Sequence, residues 1–255
     1  MCELFGISAK TPVDVRNYLK TFYSHSDRHP HGWGIMRAKD GKTEILKEPI
    51  CALGSRILSR IIQKTEPQTN LLAHIRLATV GSIKYDNCHP YTGFDMSGRR
   101  WTLIHNGTIY SGIQLARYLQ EQTGDTDSER IFLYLIDEIN KEMILNDAPL
   151  SADMRCRVVD RVVTQLSPRN KLNLMIYDGE LLYVHKNMKD TLMYKEIKTG
   201  VIISTQAIDD GQWKQFPMTQ MLAFKDGVCV FEGGIHGNEF IPTLEYITAL
   251  AAMNI

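Results

Sequence analysis

The chain carries no CxxC pair. Its five cysteines, Cys2, Cys51, Cys88, Cys156 and Cys229, are odd in number and widely spread. That pattern argues against a disulfide framework and for a reducing compartment, so a cytoplasmic protein is expected. Neither charge is in excess, since Lys+Arg 29 balances Asp+Glu 29, and no basic stripe points to nucleic acid or an anionic membrane. No apolar run approaches the roughly 18 residues that a membrane span needs, and the N-terminus lacks the basic and apolar regions of a signal peptide. Repeats, low-complexity stretches and linkers are missing too. What is left is an ordinary soluble globular composition, 44% hydrophobic and 23% charged over 255 residues, long enough to bury a full core. One domain over 1–255 is the simplest organisation.

What is present starts at Cys2. Once the initiator Met1 is removed, a thiol and a free α-amine stand on one residue. An α-amine, with a pKa near ~8, is a base available at neutral pH without a histidine partner. A terminal amine beside a terminal side chain is one route to an activated nucleophile. A cysteine at position two says little alone, so the rest of the chain must supply its partners.

Residues 2–7 read as a buried strand. Thr11, Pro12 and Asp14 carry helix-start chemistry ahead of an apolar stripe of Val15, Tyr18, Leu19 and Phe22. A polar loop with His25, His29 and His31 leads to a strand over 32–36, which pairs with 43–47 across an Asp40-Gly41 turn. A helix is expected over 54–62, a strand over 70–76 and a long loop over 82–98. A strand over 101–105 is stopped by Asn106-Gly107, and Ser111 caps a helix to about Gln120. Thr126-Asp127-Ser128-Glu129 is a capping box, and Ser151 starts a further helix. The last third is mostly strands, over 172–177, 181–185, 201–205, 221–225 and 228–231. Strand runs with helices in blocks favour an α+β layered fold.

Four stretches relate to Cys2: Arg76-Leu77-Ala78-Thr79-Val80-Gly81, Asn87-Cys88-His89-Pro90, His105-Asn106-Gly107 and Asp125-Thr126-Asp127-Ser128-Glu129. With them in this order behind Cys2 and Gly6, the sequence resembles the class II glutamine amidotransferases, which belong to the N-terminal-nucleophile hydrolases. The likeness covers nearly the whole chain and is closest to the stand-alone glutaminase branch. It implies a four-layer αββα sandwich with mostly antiparallel sheets.

The resemblance also implies roles. Cys2 attacks the γ-amide carbon of glutamine while its α-amine moves the protons. Asn106 and the Gly107 N–H form the oxyanion hole, and glycine there lets the backbone approach the substrate. Arg76 grips the α-carboxylate with help from Thr79 and Val80, and Asp127 holds the α-ammonium, since Thr126 can cap its helix unaided. Many synthase-linked members have Trp and His where this chain has Leu77 and Val80.

Three readings of the activity stay open. Ammonia passes to a separate synthase subunit; or another γ-glutamyl amide, such as a γ-glutamyl thiol compound, is hydrolysed without transfer; or the protein is a silent regulator that binds glutamine. No cofactor or metal is expected, because a polar loop accounts for the three histidines. Cys88-His89 makes no dyad, since neighbours in extended chain point apart; His89 orders its loop, and Arg28 is placed near Cys2. The 248–255 tail packs within the chain or against a second copy in a homo-oligomer.

Overall fold

The structure, a computed structural model, describes residues 2–39, 42–244 and 246–248. The expected Asp40-Gly41 turn, Met1 and residues 249–255 lie outside the described residues. In chain order the strands are β1 (Glu3–Val13), β2 (Trp33–Lys39), β3 (Lys42–Glu48), β4 (Gln68–Ile75), β5 (Tyr91–Phe94), β6 (Arg100–Thr108) and β7 (Lys171–Tyr177), followed by β8 (Leu182–His185), β9 (Met193–Ile197), β10 (Gly200–Ser204), β11 (Lys214–Gln215), β12 (Leu222–Lys225) and β13 (Val228–Glu232). The helices are α1 (Arg16–Ser24), α2 (Arg56–Lys64), α3 (Asp127–Asn146) and α4 (Ala152–Leu166).

The strands form two antiparallel sheets. One has the order β11-β9-β10-β1-β4-β2-β3, the other β13-β12-β8-β7-β6-β5. Both are apolar on their two faces, which forces three cores. Phe5, Ile7, Trp33, Ile35, Leu71 and Ala73 pack the first sheet against Leu19 and Phe22 of α1 and Leu58 and Ile61 of α2. Trp101, Leu103, Leu172 and Leu174 pack the second against Leu135 and Ile139 of α3 and Val159 and Val162 of α4. Leu4, Met36, Leu72, Ile104, Met175 and Ile203 fill the space between the sheets. The layers therefore run αββα, the sandwich that the resemblance implies.

Several local expectations change. Thr11 and Pro12 lie in β1, and α1 begins only at Arg16. Asp14 accepts from the Arg16 N–H at 3.0 Å, so its carboxylate serves a turn outside the helix. Asn106-Gly107 does not stop β6, which continues to Thr108 because β7 pairs with it as far as Lys171. The helix expected at Ser111 is a 3₁₀ helix over Ile113–Leu119 with Gly112 at its start. The long loop over 82–98 contains β5, and β9 and β11 went unread between apolar neighbours. Thr126 caps α3 as expected, its hydroxyl accepting from the Glu129 N–H at 3.2 Å. The Glu129 carboxylate does not close the box; it accepts from the N–H groups of Thr123 and Gly124, both at 2.7 Å.

Candidate active site

Side chains alternate along a strand, so residues two apart share a face. Leu4 of β1, Ile104 of β6 and Met175 of β7 face the space between the sheets. Asn106 and Lys171 have the same parity on β6 and β7, and Cys2, one residue ahead of β1, keeps the parity of Leu4. They meet at one end of that space. The Lys171 ammonium donates to Asn106 Oδ1 at 2.9 Å, and Cys2 and Asn106 both line a cavity of about 530 Å³.

The Cys2 thiol donates to the Leu77 carbonyl at 3.5 Å. Burial pushes its pKa up, against the opposing positive charges of Arg76 and Lys171. At neutral pH the sulfur therefore keeps its proton, and any attack by it needs a base that takes the proton away.

Asn106 is 1% exposed. Its Oδ1 is held by Lys171, whereas its Nδ2 has no hydrogen-bond partner among the described residues. A buried amide donor left without a partner costs about 1–3 kcal/mol. Here it stands on the wall of the cavity that Cys2 shares, where a substrate oxygen can take it up.

The other residues singled out from the sequence are close by but do not line this cavity. Arg76 is 3% exposed, and its guanidinium donates to the carbonyls of Ser82, Val80 and Gly81 at 2.9, 3.0 and 3.3 Å. Three of its five N–H donors are used, and no carboxylate pairs with it among the described residues. Val80 thus meets Arg76 through its carbonyl, and Thr79 is exposed with its hydroxyl 3.4 Å from that of Thr108. Asp127 is not free: Oδ2 accepts from the Ile109 N–H at 2.7 Å and Oδ1 from the Ser128 N–H at 2.9 Å. Its position at the first turn of α3 explains the second bond, and the end of β6 running past explains the first.

Asn87 bonds Asp125 and donates to the Ser82 carbonyl at 2.7 Å, tying the 82–87 loop to the start of α3. Arg28 lines the cavity, as expected of a residue near Cys2. His89 receives the His105 N–H at 3.3 Å and packs its ring against that of His74, centroids 4.1 Å apart and tilted by 47°, which suits its loop-ordering role.

Sequence reading missed Lys171, which it left one residue outside the strand over 172–177. The signal was available: at period two, 171, 173 and 175 share a face, and Lys171 and Asn173 are polar there. It also missed Glu3, whose carboxylate lies on the cavity wall. Gln206 donates to it at 2.8 Å, and Nδ1 of His25 lies 2.9 Å from it. His29 stands 3.8 Å away, and His31 accepts from the Ala78 N–H at 2.9 Å. The three loop histidines thus hold the segments on either side of Cys2.

Burial holds His74 and His89 well toward the neutral form, lowers His105 and pushes His185 down to about 3. In the unfolded chain each histidine takes up its proton near pH ~6.5. Below that pH the folded state binds fewer protons, so stability is lost as pH falls from ~6.5, at up to ~1.4 kcal/mol per pH unit for each histidine. Urea midpoints at pH 7.5 and 5.5 check this. The lower pH should give the clearly lower midpoint, and equal midpoints would show that these imidazoles charge without unfolding.

The sequence profile of the family described as glutamine amidotransferases class-II matches residues 1–197. The uncharacterized protein MJ1515 of Methanocaldococcus jannaschii is 29% identical over 261 residues, which cover 91% of this chain and 71% of that protein. Among solved structures, a predicted glutamine amidotransferase from Pseudomonas aeruginosa matches with a TM-score of 0.65 at 19% identity, over 90% of this chain and 100% of the other. The glutamine phosphoribosylpyrophosphate amidotransferase from B. subtilis matches with a TM-score of 0.63 at 16% identity, over 92% of this chain and 49% of its own. At those identities the structural likeness is one of fold.

Proposed function

The chain belongs to the class-II glutamine amidotransferases, and on that premise we propose that it hydrolyses the γ-amide of glutamine through a thioester on Cys2. The sulfur adds to the amide carbon while the α-amine of Cys2 takes the thiol proton and returns it to the leaving nitrogen, which departs as ammonia. Water then adds to the thioester, releasing glutamate and restoring the thiol. The observation that carries this reading is the unpartnered, buried Nδ2 of Asn106 on the cavity wall beside Cys2. Such a donor strengthens its bond as the carbonyl oxygen gains charge, an effect typically worth about 3 kcal/mol. The Gly107 N–H is the second donor in this proposal.

The binding roles of Arg76, Thr79, Val80 and Asp127 are part of it. Arg76 keeps two N–H donors for an α-carboxylate beyond the three that hold the loop. Asp127 retains lone pairs for an ammonium beside the two N–H groups it already accepts. Residues 1–255 are taken as one glutaminase domain, because β10 pairs with β1 and β12 with β8, which ties the region after residue 197 into both sheets. Its five free cysteines suit the cytoplasm, and no described helix is long and apolar enough to cross a membrane. The ammonia would pass to a separate synthase subunit.

The cavity favours a second reading. It extends past Cys2 between Arg28, Asp27, Asp190 and Glu3, more room and more charge than departing ammonia needs. A γ-glutamyl amide with a larger, charged amine would fill it. Glutamate release from L-glutamine and from γ-glutamyl amino acids, by protein verified to begin at Cys2, separates the readings. Preference for glutamine supports the first, and preference for the larger amides the second. If nothing is released from either, both fail and a silent binding protein is left.

A further inference from the structure

We propose that Lys171 is a positioning residue for the Cys2 reaction, gripping Asn106 Oδ1 so that Asn106 Nδ2 is presented to the substrate oxygen. The proposal rests on the thioester reading above and adds to it the residue that decides which end of the Asn106 amide faces the chemistry.

The two ends of an asparagine amide have nearly the same shape, and only hydrogen bonding orients them. Lys171 is 1% exposed, and its backbone is paired to Thr108 across the β6–β7 ladder. Its Nζ is thereby held 2.9 Å from Asn106 Oδ1. A protonated lysine has donors only, so it selects the amide oxygen and turns Nδ2 away from itself. A neutral amine also carries a lone pair, which can accept from Nδ2 just as well, and the selection is lost. The charge on Lys171 thus sets whether the oxyanion donor is in place.

That charge is in balance near neutral pH. Burial pushes Lys171 down to about 7, and the neighbouring Cys2 acts in the opposite direction. Among the described residues, Cys2 ahead of β1 acts on Lys171, and so does His105 of β6, whose ring nitrogen lies 3.3 Å from the Lys171 carbonyl. Arg76 and Asp127 act at one remove, the first through Cys2 and the second through His105. On β8, the His185 Nδ1 lies 2.7 Å from the Leu172 carbonyl. Negative charge developing at the substrate oxygen favours the protonated lysine. Activity should therefore be high while Lys171 is charged and fall as it loses its proton above neutrality.

Lys171→Met tests this, because it fills the same space without a donor. On the best γ-glutamyl amide, kcat is expected to fall on the order of 10²-fold, the effect of a missing oxyanion donor, with KM within about threefold. The descending alkaline limb of kcat/KM should disappear. In an Asn106→Ala background the same change should cost nothing further, since both substitutions remove one device. Its melting temperature should not drop, as a buried amine has been replaced by an apolar chain.

A direct readout needs no turnover. In the intact protein the Asn106 side-chain 15N signal should titrate with the same midpoint as the Lys171 13Cε signal, and Lys171→Met should abolish that titration. Wild-type kinetics in Lys171→Met, or additive losses with Asn106→Ala, would overturn the positioning role while the Cys2 thioester stands. An Asn106 signal indifferent to Lys171 would overturn it on structural grounds. Absence of Cys2-dependent turnover in the wild type would instead end the thioester reading and the catalytic part of this proposal with it.

Discussion

Cys2→Ala is expected to lower glutamate release from the preferred γ-glutamyl amide by about 10⁴-fold or more, into the assay background. In the proposed mechanism the sulfur forms the covalent intermediate, and the cavity wall holds no second thiol: the Ser24 and Thr205 hydroxyls there are weaker nucleophiles at neutral pH. The substitution should leave the fold intact. The described contact of the sulfur is a long bond of 3.5 Å to the Leu77 carbonyl, so the melting temperature should match that of the parent within a few degrees. A chain with an uncleaved N-terminal extension should lose activity as well. Its thiol is still present, but burial keeps that thiol protonated, and the α-amine that would deprotonate it has become an amide. Full activity in the extended chain would reassign the base. Full activity in Cys2→Ala would remove the thioester altogether.

Gly107→Ala has the largest expected effect on folding. A Cβ at this position would fall inside the contact radius of the Lys171 carbonyl oxygen and of the His105 imidazole. The first clash is with backbone, which cannot move aside without opening the β6–β7 ladder where Gly107 pairs with Leu172 and Thr108 with Lys171. Overpacking of this kind costs about 3 kcal/mol, or roughly 6–12 °C in melting temperature for a chain of this size. Loss of activity at temperatures where the variant is still folded is expected as well, because the same shift displaces Asn106 from Lys171. A variant as stable as the parent would show that the two strands can separate locally at no cost. From the sequence alone, glycine here is explained by close approach of the substrate; the structure adds close approach of the neighbouring strand.

Much of the site was legible because its residues lie in short, ordered stretches whose chemistry is local. Thr126 caps α3 by a bond three residues long, and a periodic pattern predicts it. Asn106 and Cys2 need only an expected strand each. Arg76 and Asp127 were harder. Ligand roles are expected of both, and both also hold backbone: Arg76 the carbonyls of the 80–82 loop, Asp127 the N–H groups of Ile109 and Ser128. A side chain's hydrogen-bond partners across 18 residues of chain cannot be read from spacing. They depend on where a loop passes the helix.

By itself the sequence determined the layered α+β class and the family, and it singled out Cys2 as the candidate nucleophile. These follow from periodicity, motif order and the chemistry of one terminal residue, all properties of neighbours along the chain. The tertiary structure alone decided that Lys171 reaches Asn106 across 65 residues and that Glu3 is held by His25 and Gln206. It also decided that the cavity opens toward Arg28 rather than Arg76. Strand parity states which face a residue takes, but the register between β6 and β7 determines which residue stands opposite. That register is set by the packing of two whole sheets.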